Sequence, residues 1–224
     1  MYLKNLKGLK FPDLAVIKFF FKQGLHQKSN QKVLEFACSN GNNLSLFANY
    51  DYECIGVDLS KESISNANYN FKEIIQCKNY QFFHDNILDF PLKNLNINAD
   101  IFMIPNVINY LLKEDFLKLL KISKENSMYK ENALFFLRTR SIKDYRYGYG
   151  EKIAHNCFKI TNDNTTGELG CINTLYQEYE LVEILKEYLN LYDFKVLTYE
   201  NTNIMGEDER LVNDSDIVIY GKIK

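Results

Sequence analysis

Short apolar runs alternate along this chain with longer segments whose apolar positions recur every three or four residues. The short runs predict strands at Lys32–Phe36, Cys54–Asp58, Tyr80–His84, Ala99–Ile104, Ala133–Arg138, Phe194–Tyr199 and Asp216–Tyr220. Helical spacing covers Asp13–Gly24, Leu44–Asn49, Lys61–Ile75, Glu114–Ser123 and Tyr176–Leu189. Strands that alternate with helices predict an α/β fold, a doubly wound and mainly parallel seven-stranded sheet. The last two strands are joined by a turn-rich stretch with no helical pattern. The final strand is therefore expected to run antiparallel, as half of a hairpin. No repeat or linker divides residues 1–224, so one domain is expected. From about 139 to 173 the alternation fails, and the chain becomes rich in Gly, Asn, Thr and Tyr. A long connection of this kind usually serves as a lid or binding loop. It leaves the carboxyl end of the fifth strand, the side on which open α/β sheets bind ligands.

Composition narrows the function classes. Hydrophobic residues at 46% and charged residues at 25% place the chain among globular proteins. No run of 18 apolar residues is present, so no membrane partner is expected. The amino-terminal stretch lacks the apolar core of a signal peptide. Cys38, Cys54, Cys77, Cys157 and Cys171 include no Cys-x-x-Cys pair, which points to reduced thiols in a cytoplasmic protein and to no metal site. A net charge of −2 with no basic arm argues against a nucleic-acid partner. Asn, Lys, Ile, Tyr and Phe are abundant throughout, so a single Asn or Tyr is weak evidence of a role.

The most informative stretch is Val33-Leu34-Glu35-Phe36-Ala37-Cys38-Ser39-Asn40-Gly41-Asn42-Asn43-Leu44. A buried strand ends in a carboxylate, turns through small residues and enters a helix, so a ligand can approach the backbone closely. A second strand, Cys54-Ile55-Gly56-Val57, also closes on an acid, Asp58. Together these segments resemble the first two motifs of class I S-adenosylmethionine (SAM)-dependent methyltransferases. Ala37 and Ser39 stand where the family usually has glycine. Positive φ at either would cost about 1–2 kcal/mol.

The resemblance implies a Rossmann-like methyltransferase fold with SAM as cofactor. Glu35 would lie near the cofactor's methionine end, with Ala37, Ser39, Asn40, Gly41 and Asn43 around it. Asp58 and Leu59 would meet the ribose. Asp85, Asn86 and Ile87 resemble the adenine-binding third motif, and Pro105 opens the loop beside the sulfur. That loop, Pro105-Asn106-Val107-Ile108-Asn109-Tyr110, lacks the Asp/Asn-Pro-Pro-Tyr/Phe quartet of base-amine methylation and the Pro-Cys pair of pyrimidine-carbon methylation. It resembles the small-molecule type, with Tyr110 and His155 as catalytic candidates. Three of the four arginines, Arg138, Arg140 and Arg146, fall close together, and guanidinium forks suit phosphate or carboxylate. With Asn109, Tyr145 and Lys152 they form an expected site for a small polar, anionic metabolite or sugar methylated on O or N. Salt bridges between insertion and core are the equal alternative for these arginines. Two other readings stay open: a catalytically degenerate partner subunit, and a nicotinamide-dependent dehydrogenase, whose Gly-x-Gly-x-x-Gly is missing after the first strand. Cys38, with no base nearby in sequence, reads as a small buried filler rather than a nucleophile.

Overall fold

The computed structural model describes residues 3–161, 168–205 and 209–224. Seven strands form one sheet: β1 (Lys32–Phe36), β2 (Glu53–Asp58), β3 (Tyr80–His84), β4 (Ala99–Pro105), β5 (Tyr129–Arg140), β9 (Tyr192–Met205) and β10 (Arg210–Ile223), in the order β3-β2-β1-β4-β5-β10-β9. The neighbours from β3 through β5 run parallel, and β10 is antiparallel to both β5 and β9. The strand order reverses direction beside β1, at the kind of switch point where such sheets open a crevice.

Period-two alternation distributes the strand residues over two buried faces. Leu34, Phe36, Phe102, Ile104, Phe135 and Leu137 pack into one core with α5 (Lys113–Glu125) and α6 (Glu178–Leu189). Val33, Ile101, Met103 and Phe136 pack into the other, against α1 (Leu14–Lys22), α2 (Asn42–Ala48) and α3 (Lys61–Tyr69). Asp13 caps α1 by accepting from the Ala15 amide at 2.7 Å, and Ala15, Val16, Phe19 and Phe20 form its buried stripe. The helix expected to run unbroken to Ile75 instead changes to a π-helical turn at Asn70–Ile75. There the buried Asn70 side chain turns to the amino-terminal segment, accepting from the Lys7 amide at 2.8 Å.

Two differences from the sequence expectation shape the site. The terminal hairpin is far longer than Phe194–Tyr199 and Asp216–Tyr220: Asp216 lies opposite Arg140, the last residue of β5, so residues 200–205 and 210–215 project past the sheet. That projection is polar and lacks apolar alternation, so the sequence pattern misses it. The insertion, expected as irregular chain, contains a three-stranded antiparallel sheet of β6 (Glu151–Ala154), β7 (Cys157–Lys159) and β8 (Ile172–Thr174). It is fastened to the loop after β4, where the Thr174 hydroxyl donates to the Leu111 carbonyl at 2.6 Å. Thr165, Thr166 and Gly167 of the insertion lie outside the described residues.

Candidate active site

Glu35, Asp58 and Asp85 stand at or just beyond the carboxyl ends of three adjacent parallel strands, on one rim of the sheet. Between β1 and α2 the backbone takes positive φ at Ala37 (55°), Ser39 (49°) and Gly41 (75°). The two positions that replace glycine thus keep a glycine-like path. A Cβ on Gly41 would come within 2.8 Å of the Phe71 ring, and one on Gly56 within 2.6 Å of the Cys38 sulfur. Cys38 is buried and its thiol is pushed well up by that burial, as a filler's would be.

Asp58 secures this loop. One carboxylate oxygen accepts from the Ser39 amide and the other from the Ser60 amide, each at 2.8 Å. An ionised carboxylate offers about four lone-pair positions, so capacity remains for a diol. The Asp85 amide donates to the Asp58 carbonyl at 3.1 Å, which ties the two acidic ends together. The Asp85 carboxylate is held by Lys93 at 2.8 Å, and the Lys93 hydrogen bond keeps it below the ordinary carboxylate range. Asn86 closes an Asx turn on the Leu88 amide, Ile87 is buried, and the Leu59 side chain points to solvent.

Glu35 is fully buried. Its Oε1 accepts from the Asn43 side chain at 2.7 Å, whereas Oε2 has no partner. Burial, reinforced by the charges of Asp13 and Asp58, pushes its pKa up to about 8. Asn43 and Asn40, taken from sequence as cofactor contacts, spend their side chains on the protein. Asn40 binds the Lys7 and Leu9 backbone, and Asn43 bridges Glu35 to the Asp13 amide. Asn42 binds the Phe11 carbonyl in the same manner. These asparagines strap residues 7–13 across the start of α2, which explains their side-chain chemistry without a ligand.

Beyond Asp13 a cavity of about 520 Å³ opens, lined by Asp13, Asn106, Asn109, Tyr110, the three arginines, Asp144, Asn201–Asn203, Asp214 and Asp216. This is ample for a small ligand. All three arginines line the cavity, and each is engaged within the protein. Arg138 binds Asp13 and Asp216; Arg140 binds Glu168, the Asn173 side chain at 2.9 Å and the Tyr110 hydroxyl at 3.1 Å; Arg146 binds Asp144 at 3.0 Å and Asp214 at 3.3 Å. Each guanidinium is already matched to carboxylate, so the insertion–core salt bridges are what the arginines form.

Three further residues expected at the site lie away from the cavity. His155 is exposed at the β6–β7 turn, Lys152 is exposed on β6, and Tyr145 stacks on Arg146, 4.2 Å from ring centre to guanidinium carbon. None lines the cavity. Tyr110 does, but its hydroxyl donates to Glu168 at 2.8 Å and burial raises its pKa, so it stays protonated and is a poor base. Asn109 is buried in the cavity wall, and Pro105 is buried at the end of β4. Sequence reading singled out Asp144 only as a salt-bridge partner for the arginines, and missed Asp13, Asn106, Glu168, Asp214 and Asp216. Only Asp13 carried a signal, as an acid immediately before a helix.

Residues 33–124 match the family model of a methyltransferase domain. That span contains the motif loop, Asp58 and Asp85. The matched domain and the fold together indicate a SAM-dependent methyltransferase with S-adenosylmethionine as its cofactor. Solved structures show the same fold across nearly the whole methyltransferase. A SAM-dependent methyltransferase from Methanosarcina mazei is 16% identical, with a TM-score of 0.66 over 91% of this chain and 98% of that one. The YcgJ protein from Bacillus subtilis is 13% identical, with a TM-score of 0.66 over 94% and 98%. A methyltransferase from Clostridium acetobutylicum is 17% identical, with a TM-score of 0.59 over 91% and 89%. Among curated proteins none matches significantly.

The residues of the methyltransferase fit its cofactor. The unpartnered, buried Glu35 Oε2 is a ready partner for an ammonium, the loop at 37–41 exposes backbone to close approach, and Asp58 retains acceptor capacity. The positive φ values at Ala37 and Ser39 also remove the main ground for the degenerate-subunit reading, which was the loss of glycine.

Proposed function

We propose that this methyltransferase modifies an oxygen or nitrogen of a small polar metabolite seated in the cavity over the ends of β4 and β5. The observation that supports this is continuity. Asp13 lines the cavity, and its amide is joined through Asn43 to Glu35 in the cofactor loop. The cofactor supplies an electrophilic methyl on a sulfonium. The protein's part is to hold the acceptor in line with it, and such positioning alone supplies much of the acceleration in a direct displacement. Asn106 and Asn109, on the loop after β4, offer neutral donors and acceptors on the wall between the two sites. The hydroxyl of Tyr110, held between Arg140 and Glu168, orients that wall rather than removing a proton.

Calorimetry with SAM tests the cofactor half of this reading, with loss of affinity expected for Asp58→Ala and unchanged binding counting against it. Transfer of labelled methyl from SAM into a fractionated metabolite extract tests the acceptor half. Label recovered only in macromolecules would remove the small-molecule assignment.

A further inference from the structure

The same cavity carries information about the charge of its occupant. We propose that the acceptor is a cationic, amine-bearing metabolite rather than a phosphorylated or carboxylated one; this rests on the reading above that the cavity is the acceptor site.

Four carboxylates line the cavity, Asp13, Asp144, Asp214 and Asp216, and Glu168 joins them by gripping Arg140 and approaching Arg146 at 3.6 Å. Against three guanidiniums, five carboxylates leave a local net charge of −2. An anionic ligand recognised by arginine needs an unoccupied fork of parallel N–H groups. The forks of Arg138 and Arg140 are engaged, and Arg146 commits Nη1 to Asp144 and Asp214 while its buried Nε, 3.6 Å from Glu168, makes no hydrogen bond. Both terminal nitrogens of Arg140 are shared among Glu168, Asn173 and Tyr110, and Arg138 is spread between Asp13 and Asp216. To bind phosphate, an arginine would have to abandon a carboxylate that is itself largely removed from water. The side chains of Arg140 and Glu168 are only 12% and 14% exposed, so solvent would do little to screen the charge left behind. A cation meets the opposite situation: it adds the missing positive charge and displaces no pair. The remaining polar groups, Asn106, Asn109, Asn201, Thr202 and Asn203, are neutral and serve either sign.

The test uses the full chain saturated with S-adenosylhomocysteine, with amide shifts followed by NMR. Putrescine and inorganic phosphate are titrated separately at matched ionic strength. Putrescine is expected to shift the amides of Asn106, Asn109, Asn201 and Asp214 saturably, and to do so at concentrations about tenfold below any effect of phosphate. Asp214→Asn should weaken the putrescine response by about fivefold, as for the loss of one partly exposed charge. Tighter binding of phosphate at those amides overturns the proposal, and so does a putrescine response scattered over the surface. Shifts at residues 37–41 on adding S-adenosylhomocysteine report the cofactor site separately. Their absence would sink the methyltransferase reading while leaving the charge comparison readable.

Discussion

The two halves of the rim handle polar groups in opposite ways. From β1 to β4 the chain uses backbone: a turn with three positive φ values, an acid at the ends of β1, β2 and β3, and amides aimed at Asp58. From β5 to β10 it uses side-chain ion pairs whose partners lie far apart in sequence, such as Arg138 with Asp13 and Asp216 or Arg140 with Glu168. The first half presents a surface preformed for one cofactor and coincides with the span that matches the family. The second half is a frame of ion pairs around a cavity, with carboxylates in excess of guanidiniums.

The largest effect that separates the halves belongs to Glu35. Its folded pKa, about 8, exceeds the ordinary carboxylate value of 4.5 because it is buried with one oxygen unpaired. Between those values the folded state holds more protons than the unfolded state. Stability from this group is therefore full below about pH 4.5 and is lost as the pH rises to about 8. The upper limit of that loss is about 5 kcal/mol. Denaturant unfolding across this window should show the slope in the intact protein and not in Glu35→Gln. An ammonium beside Oε2 favours the carboxylate, so cofactor affinity should rise with pH to about 8, with a proton released on binding. Calorimetry in buffers of different ionisation enthalpy measures that proton directly.

The second test breaks the ion-pair half alone. Arg140→Gln leaves Glu168 without its charge partner and loosens the insertion from the Tyr110 loop. Removing one member of a largely buried pair costs about 2–3 kcal/mol here, somewhat below the fully buried case. Urea unfolding should show that loss while the affinity for SAM is unchanged. A matching loss of cofactor affinity would mean the two halves are one cooperative site.

The contrast also explains what sequence reading reached. The strand–turn–helix at residues 32–48 and the acid at Asp58 were legible because the relevant groups lie within one local segment. The seven strands and their antiparallel ending followed from the alternation of elements. The role of the arginines was not legible, because Asp216 meets Arg138 only once β10 has paired with β5. Nor was the hairpin's projection, since Glu200-Asn201-Thr202-Asn203 has no apolar periodicity and is held by backbone pairing to β10. The side-chain roles of Asn40 and Asn43 were hidden for a related reason: the motif suggests cofactor contacts, and their side-chain amides bind the segment from Lys7 to Asp13, distant in sequence.

A smaller effect sharpens the backbone half. Ala37 and Ser39 hold φ values of 55° and 49°, where a Cβ is strained by about 1–2 kcal/mol. Glycine relieves that strain but adds freedom to the unfolded chain, which returns about 0.4–1 kcal/mol. Ala37→Gly is therefore expected to stabilise by up to about 1 kcal/mol, read as a higher denaturation midpoint with unchanged slope. Destabilisation instead would show that the methyl group packs against the loop and outweighs its own strain.

The smallest expected effect is none at all, and it concerns the residue that sequence alone put forward as a base. His155 sits exposed in the turn between β6 and β7 and does not line the cavity. The groups in reach of an acceptor there are carboxylates, amides and the protonated Tyr110. His155→Ala should leave cofactor affinity, melting temperature and labelled methyl transfer into a metabolite extract as they are. A loss of transfer with intact cofactor binding would mean that the small sheet of the insertion swings onto the cavity during turnover. The ion pairs from Glu168 to Arg140 and Arg146 would then be breakable latches rather than a fixed frame.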